Sequence, residues 1–354
     1  MSGVRVDRLG ADFEYFVGEV FESLTRAGWH ERCGSYLQGL LLDGRRKSIQ
    51  PMAARLSGVH DQALNHFITN SPWPVEPVRR RLAVWMDLAV APAAWAVDDT
   101  GWLKDGPASP CVWPQYTGSA GKITNCQIGV SLNLVTDTAS CPVNWRLFVP
   151  EAWDPASGKA MAQVAARRRK AAIPEQVGHR EKWRLALDLI DQTLSWGIRP
   201  PLIVADAGYG DCAEFRQGLD DRVLSYVVGV ACTHTAFTED TVRTAPPYKG
   251  NGRRPPLIYR QKAPSLKTLV LAVGQDRARV MAWREGSRRR GGTPVKMRSR
   301  FVFLRVRPTS KVHRRAVDFG DLPWQGWHHH VTLVSAAHAF VTLQRLDPKT
   351  HAPE

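Results

Sequence analysis

From Asp12 to about Met86, apolar residues recur at three- and four-residue steps: Phe13, Phe16, Val20, Phe21 and Leu24, then Tyr36, Leu37, Leu40 and Leu41. That spacing gathers them on one face of a helix and predicts an all-helical opening segment over residues 1–90. Within it, residues 49–58 and 59–68 predict a helix, a glycine-containing turn and a second helix. This is the layout of a helix-turn-helix, whose second helix can lie in a DNA major groove; a plain helical hairpin gives the same pattern. Pro72, Pro74 and Pro77 then punctuate the chain ahead of Arg79, Arg80 and Arg81.

After residue 90 the period changes. Residues 94–98, 125–135 and 145–149 predict three successive strands, the first apolar and the second alternating. An amphipathic helix over 180–196, a strand over 202–205, a helix over 211–221 and a strand over 224–230 follow. Three strands, a helix, a strand and a helix is the order of an RNase H-like α/β core, a mixed sheet with flanking helices, here spanning 91–346. In such a core the first and fourth strands are neighbours, which sets Asp98 or Asp99 beside Asp206. Residues 232–306 predict a β-rich insertion, with strands at 268–273, 279–283 and 301–306 between loops rich in Gly, Pro and Arg. A last helix over 331–346 turns Val334, Ala337, Phe340 and Val341 inward.

Charge narrows the class of partner. Lys and Arg outnumber Asp and Glu by 48 to 33, a formal +15, which raises encounter rates with polyanions. The basic positions Arg79, Arg80, Arg81, Lys122, Arg167, Arg168, Arg169, Lys170, Arg288, Arg289 and Arg290, with Arg314 and Arg315, are expected to contact phosphates of double-stranded DNA. Residues 1–9 hold no apolar leader core, and the longest apolar stretch, 82–97, is broken by Asp87 and Pro92, so a cytoplasmic, nucleoid-associated protein without a membrane role is expected. Six cysteines without a Cys-x-x-Cys pair read as core or free thiols.

The chemistry centres on Asp98, Asp99 and Asp206, each at the end of a short apolar run. An Asp-Gly pair after a strand is often only a turn. Asp206 is harder to read that way, because Asp211 and Glu214 form a capping box for the next helix and leave Asp206 without that task. Carboxylates converging at strand ends offer hard oxygens to Mg²⁺ or Mn²⁺. Gly118 to Lys122 fails as a phosphate loop, since Tyr116 and Ile123 stand where Gly and Ser or Thr are required, so no nucleotide cofactor is expected. Adjacent His328, His329 and His330 cannot all face one ion, and Trp283 reads as a strand's core residue or a base-stacking platform.

Asp98-Asp99-Thr-Gly101, Gln115 to Lys122, Asn125 to Ser131, Trp145-Arg146 with Pro150-Glu151, Val204 to Asp211 and Gly326 to His330 together resemble the DDE-type transposases of bacterial insertion sequences, and among them the insertion sequence 701 family. The resemblance runs over nearly the whole chain. It implies metal-dependent cutting and joining of DNA at an element's terminal inverted repeats and target, with at least a homodimer at work. It also implies a third acid, a Glu on a helix just after the insertion. After Asp206 the only glutamates are Glu214, Glu239, Glu285 and Glu354, and none lies in such a setting. Residues 306–324 lead almost directly into the last helix, with Asp318 and Asp321 as the nearest substitutes. Three outcomes are therefore open: a working transposase, a truncated relic that only binds DNA, or a DNA-binding regulator acting through residues 1–90.

Overall fold

The computed structural model describes residues 2–44, 47–248, 250, 252, 254–290, 293–309 and 325–346. The chain divides into two compact units, Met1–Val228 with Arg315–Glu354, and Gly229–Arg314.

The first unit opens with the expected helices: α1 (Ser2–Val20), α2 (Ala27–Leu41), α3 (Ile49–Ala53), α4 (Asp61–Thr69) and α5 (Val75–Val90). Phe13, Phe16, Val20, Phe21, Leu24, Tyr36 and Leu37 are all buried, as their spacing requires. The first helix of the anticipated hairpin shrinks to α3 alone, a stretch of 5 residues. α4 buries Leu64, Phe67 and Ile68 and leaves Gln62, Asn65, His66 and Thr69 exposed. Pro77 falls in the first turn of α5, where an N–H has no intrahelical partner to lose. The helix ends at Ala91 in the left-handed region, φ 44°.

A six-stranded sheet follows, built from β1 (Ala94–Leu103), β2 (Trp113–Thr117), β3 (Lys122–Val135), β4 (Ser140–Leu147), β5 (Ile203–Ala205) and β6 (Tyr226–Val228). β3 is antiparallel to β1, β2 and β4, while β1, β5 and β6 run parallel, giving the mixed RNase H-like sheet. β1 does not stop on its aspartates: it pairs with β3 through Leu103, because ladder hydrogen bonds carry the strand past the point where its side chains turn polar. β4 begins five residues before the expected 145–149 strand, at Ser140. β2 has a mostly exposed face and no apolar alternation to betray it.

α6 (Val164–Lys170), α7 (Lys182–Ser195), α8 (Ala207–Gly210) and α9 (Ala213–Asp221) complete the flanking layer. α7 docks on β4 through buried Asn144, whose Nδ2 donates to Thr193 Oγ1 at 3.0 Å and Gln192 Oε1 at 3.1 Å. α9 meets α7 at Gly218, where a Cβ would stand 2.4 Å from Leu187 Cδ1. The final helix, α11 (Gln325–Leu346), buries Ala336, Ala337, Ala339 and Phe340; the Phe340 ring lies 5.3 Å from that of Phe13 and 5.4 Å from that of Phe16. Val341 is only half-buried, and the side chains of Val334 and His328 to His330 lie outside the described residues.

The second unit holds β7 (Ala236–Thr238), α10 (Leu266–Val273), β8 (Arg279–Arg290), β9 (Thr293–Phe301) and β10 (Val306–Pro308). β7 pairs with β10 and β8 with β9, all antiparallel. The strand expected at 268–273 is helix α10. Ser265 caps it, accepting from Thr268 N at 3.1 Å, and Gly274 stops it at φ 81°; end signals outweigh the β preference of a short apolar run. Residues 301–306 are likewise not one strand, since β9 ends at Phe301 and β10 begins at Val306.

All six cysteines are free: Cys33, Cys111, Cys126 and Cys141 are buried, Cys212 is half-buried and Cys232 exposed. Among the described residues no helix is long and apolar enough to cross a membrane.

Candidate active site

The parallel ladder between β1 and β5 pairs Trp95 with Ile203, Ala96 with Val204 and Val97 with Ala205. One residue further, Asp98 and Asp206 come level. Level residues of parallel strands share a face and successive residues alternate, and Asp206 keeps extended backbone angles (φ −78°, ψ −176°). Asp98 and Asp206 therefore project from one face of the sheet, and Asp99 from the other.

Asp98 reaches solvent, yet enough protein surrounds its carboxylate for desolvation to raise its pKa. The Asp99 and Asp206 carboxylates raise it further, against the Asp99 amide and the Lys182 ammonium. The Asp99 N–H donates to Asp98 Oδ1 at 2.7 Å. Asp206 is exposed and accepts at Oδ1 from Gly208 N at 2.9 Å, so it caps α8. This corrects the sequence argument: the helix after it, α9, starts at Ala213 with Cys212 as N-cap, so the expected capping box at Asp211 is not formed and Asp206 does hold a local task. That task engages one of its two oxygens.

Asp99 has a different partner. Its Oδ2 accepts from Lys182 Nζ, at the start of α7, with both side chains about one-third exposed (27% and 33%). The Lys182 ammonium also lies 5.6 Å from the centre of the Phe148 ring. Tyr209, three residues after Asp206, is fully buried on α8, its hydroxyl without a hydrogen-bond partner among the described residues. Burial first, and then the charges of Asp99, Asp98 and Asp206, push its pKa far above that of an ordinary phenol, so it stays a neutral O–H. Tyr209 carries no signal of this role in the sequence, where the 204–211 run marks only Asp206 as a candidate. Lys182 carried a signal that could have been read, a cation in the first turn of a helix, where the macrodipole favours anions.

Two hard-oxygen carboxylates on one face suit one divalent cation of the Mg²⁺ type, which is commonly held by one or two carboxylates with waters and substrate phosphates. They do not suit two such ions. Among the described residues no cluster of three or more His, Cys, Asp or Glu is placed to hold a metal. Glu214 is engaged at the start of α9, accepting from Cys212 Sγ at 3.3 Å, and Asp318 and Asp321 lie outside the described residues.

The basic positions separate by burial. Arg79 is buried, donating to Asn144 Oδ1 at 3.0 Å and Trp145 O at 3.1 Å. Arg168 is buried too, donating to the carbonyls of Trp153, Pro174 and Val177 at 2.8, 2.8 and 2.5 Å. Both tie elements together from inside, which takes them out of reach of a phosphate. Arg81 pairs with Glu19 and Glu22, and Arg167 stacks on Trp153 at 4.7 Å and donates to Pro107 O. Arg80, Lys122, Arg169 and Lys170 are exposed. Arg288, Arg289 and Arg290 belong to strand β8 rather than to a loop; their side chains and that of Trp283, with Arg314 and Arg315, lie outside the described residues.

A family model described as DDE superfamily endonuclease matches residues 19–290. The chain is also 28% identical over 200 residues to the probable transposase for insertion sequence element IS701 of Microchaete diplosiphon, a match covering 55% of this chain and 47% of that protein. The chain thus spans about half the length of the curated relative it matches.

Proposed function

The chain belongs to the DDE superfamily of endonucleases, and from that premise we propose that it is an insertion-sequence transposase, cutting and joining DNA at element ends with Mg²⁺ or Mn²⁺ held by Asp98 and Asp206. The observation that carries this reading is the β1–β5 register, which makes these two carboxylates lateral neighbours on one sheet face. It also favours Asp98 over Asp99 as the ligand.

In this mechanism the Asp99 N–H and the Gly208 N–H each hold one carboxylate oxygen, fixing the orientation of Asp98 and Asp206 and leaving their second oxygens for the ion. A divalent ion held there by Asp98 and Asp206 would supply Lewis acidity at the phosphodiester. Arg80, Lys122, Arg169 and Lys170 contact the phosphate backbone, which positions DNA without reading it. The exposed face of α4, with Gln62, Asn65, His66 and Thr69, supplies amide and hydroxyl groups of the kind that read base edges in a major groove. The acting species is a homodimer, since two element ends must be held, and the protein works in the cytoplasm on nucleoid DNA without a nucleotide cofactor.

The test is nicking of a plasmid carrying the gene's own flanking DNA, with Mg²⁺ or Mn²⁺. Cutting by the wild type and none by Asp206→Asn, with DNA still bound, supports the reading. Equal cutting by both overturns the metal assignment. No cutting by either, with DNA bound, identifies the chain as a binding-only relic.

A further inference from the structure

We propose that the β8–β9 ribbon is an arm that lies against duplex DNA, with one of its two faces set along a phosphate backbone. This rests on the reading of the chain as a DNA-acting protein and is independent of the metal assignment.

The charge of the chain is unevenly placed. The unit Gly229–Arg314 holds 20 of the 48 Lys and Arg but only 4 of the 33 Asp and Glu, so it accounts for the whole formal +15, and the remainder of the chain is close to neutral. Within that unit, β8 and β9 together carry eight cations against a single acid, Glu285.

Strand register sorts these positions between two faces. Residues directly opposite one another in an antiparallel pair share a face, and successive residues along a strand alternate. The pairs Val280–Arg300, Ala282–Arg298 and Arg284–Lys296 therefore fall on one face, and Arg279–Phe301, Met281–Ser299 and Trp283–Met297 on the other. The first face has a cation at four of its six positions and the second at one. Along β9, positions 296, 298 and 300 follow at steps of about 7 Å, close to the distance between successive phosphates of a DNA strand. A rail of cations at that step can meet one phosphate after another.

The ribbon is also open to a partner. β8 and β9 form a sheet of their own, and at its open end Arg279, Val280, Met281, Arg298, Arg300 and Phe301 are exposed. A lone two-stranded ribbon is only marginally stable in water, so a surface to lie on adds to its order. Charged residues also guard exposed strands against pairing with other chains, but that task needs charge along the edges and not its confinement to one face. A polyanion with evenly spaced charges does use such a face, and each cation that neutralises a phosphate releases counterions.

The experiment uses the full chain and reads duplex affinity by anisotropy of a labelled flanking duplex across a salt series, in EDTA so that no strand is cut. Arg298→Ala and Arg279→Ala each remove one exposed arginine from the ribbon, from opposite faces. Arg298→Ala is expected to lower the slope of log affinity against log salt by about one. The Arg284→Ala/Lys296→Ala/Arg298→Ala triple variant lowers it by about three. Arg279→Ala leaves it at the wild-type value, and so does Arg284→Lys/Arg298→Lys, which keeps both charges on the first face.

Equal losses of slope in Arg279→Ala and Arg298→Ala would overturn the proposal, since general attraction to a polyanion does not distinguish the two faces. A triple variant with the wild-type slope, or a lowered slope in the charge-preserving variant, would overturn it as well. A wild-type chain that does not bind the duplex would instead overturn the underlying reading of a DNA-acting protein.

Discussion

A carboxylate kept next to two others is a liability until something positive joins it. Asp98 is in that position: burial and the charges of Asp99 and Asp206 raise its pKa above the ordinary carboxylate value. In the folded chain it therefore holds its proton to higher pH than in the unfolded chain, and the metal-free fold loses stability as pH climbs from the ordinary value through the raised one. Asp98→Asn is expected to raise the melting temperature of the metal-free protein at neutral pH and to leave it unchanged at pH values below both. Thermal unfolding at two pH values checks this, and an equal shift at both would contradict it. Metal and proton also compete for the same oxygens, so Mn²⁺ affinity should strengthen as pH rises through the raised value and level off above it. In Asp206→Asn one repelling charge is gone, and carbon-detected NMR titration should find the Asp98 pKa lower than in the wild type.

At the scale of elements, much of what positions the site could be read from the chain, because contiguous apolar runs such as 94–97 and 202–205 have few ways to be buried other than as inner strands. What escaped depended on long-range facts. Arg79 and Arg80 are adjacent in sequence and look alike there, but Arg79 points into the core toward Asn144 and Trp145, 65 and 66 residues away, and Arg80 points out. Local composition contains no record of that distance. Strand β2 escaped for a related reason: it is recruited by pairing with β3, not by its own pattern. Arg79→Ala should cost about 1–3 kcal/mol, the penalty for leaving a buried acceptor such as the Trp145 carbonyl short of its donor. Gly101→Ala should disturb the end of β1, since a Cβ there would stand 2.0 Å from Thr117 Oγ1 and 2.6 Å from Thr117 Cβ. A cost of about 1–3 kcal/mol is expected from overpacking. Denaturant midpoints for both variants decide the matter, and values within error of the wild type would contradict the burial argument.

At the scale of the whole molecule, the excess of +15 charge acts through the cations that remain at the surface. Replacing Arg80, Lys122, Arg169 or Lys170 by Ala should each lower the salt slope of DNA binding by about one, uniformly across sequences. Arg168→Ala should leave that slope alone and lower stability instead, because its guanidinium holds three carbonyls of the 153–177 segment. The family and the α/β sheet were legible because many short motifs along the chain agree with one another. The third acid was not, and the carboxylates that could stand in for it, Asp318 and Asp321, fall outside the described residues.

The cysteines make the two compact units separately addressable. Four thiols are buried, and the two that reagents can reach fall one in each unit: Cys212 in the first and Cys232 in the second. Cys232 is exposed, whereas Cys212 is half-shielded and donates to Glu214, and its pKa is raised, by burial first. A maleimide dye at neutral pH should therefore take Cys232 first, leaving Cys212 for a second dye at higher pH. Peptide mass spectrometry verifies the order. The doubly labelled native sequence, with no engineered residue, would then report by energy transfer how far apart the two units stand as metal and DNA are added.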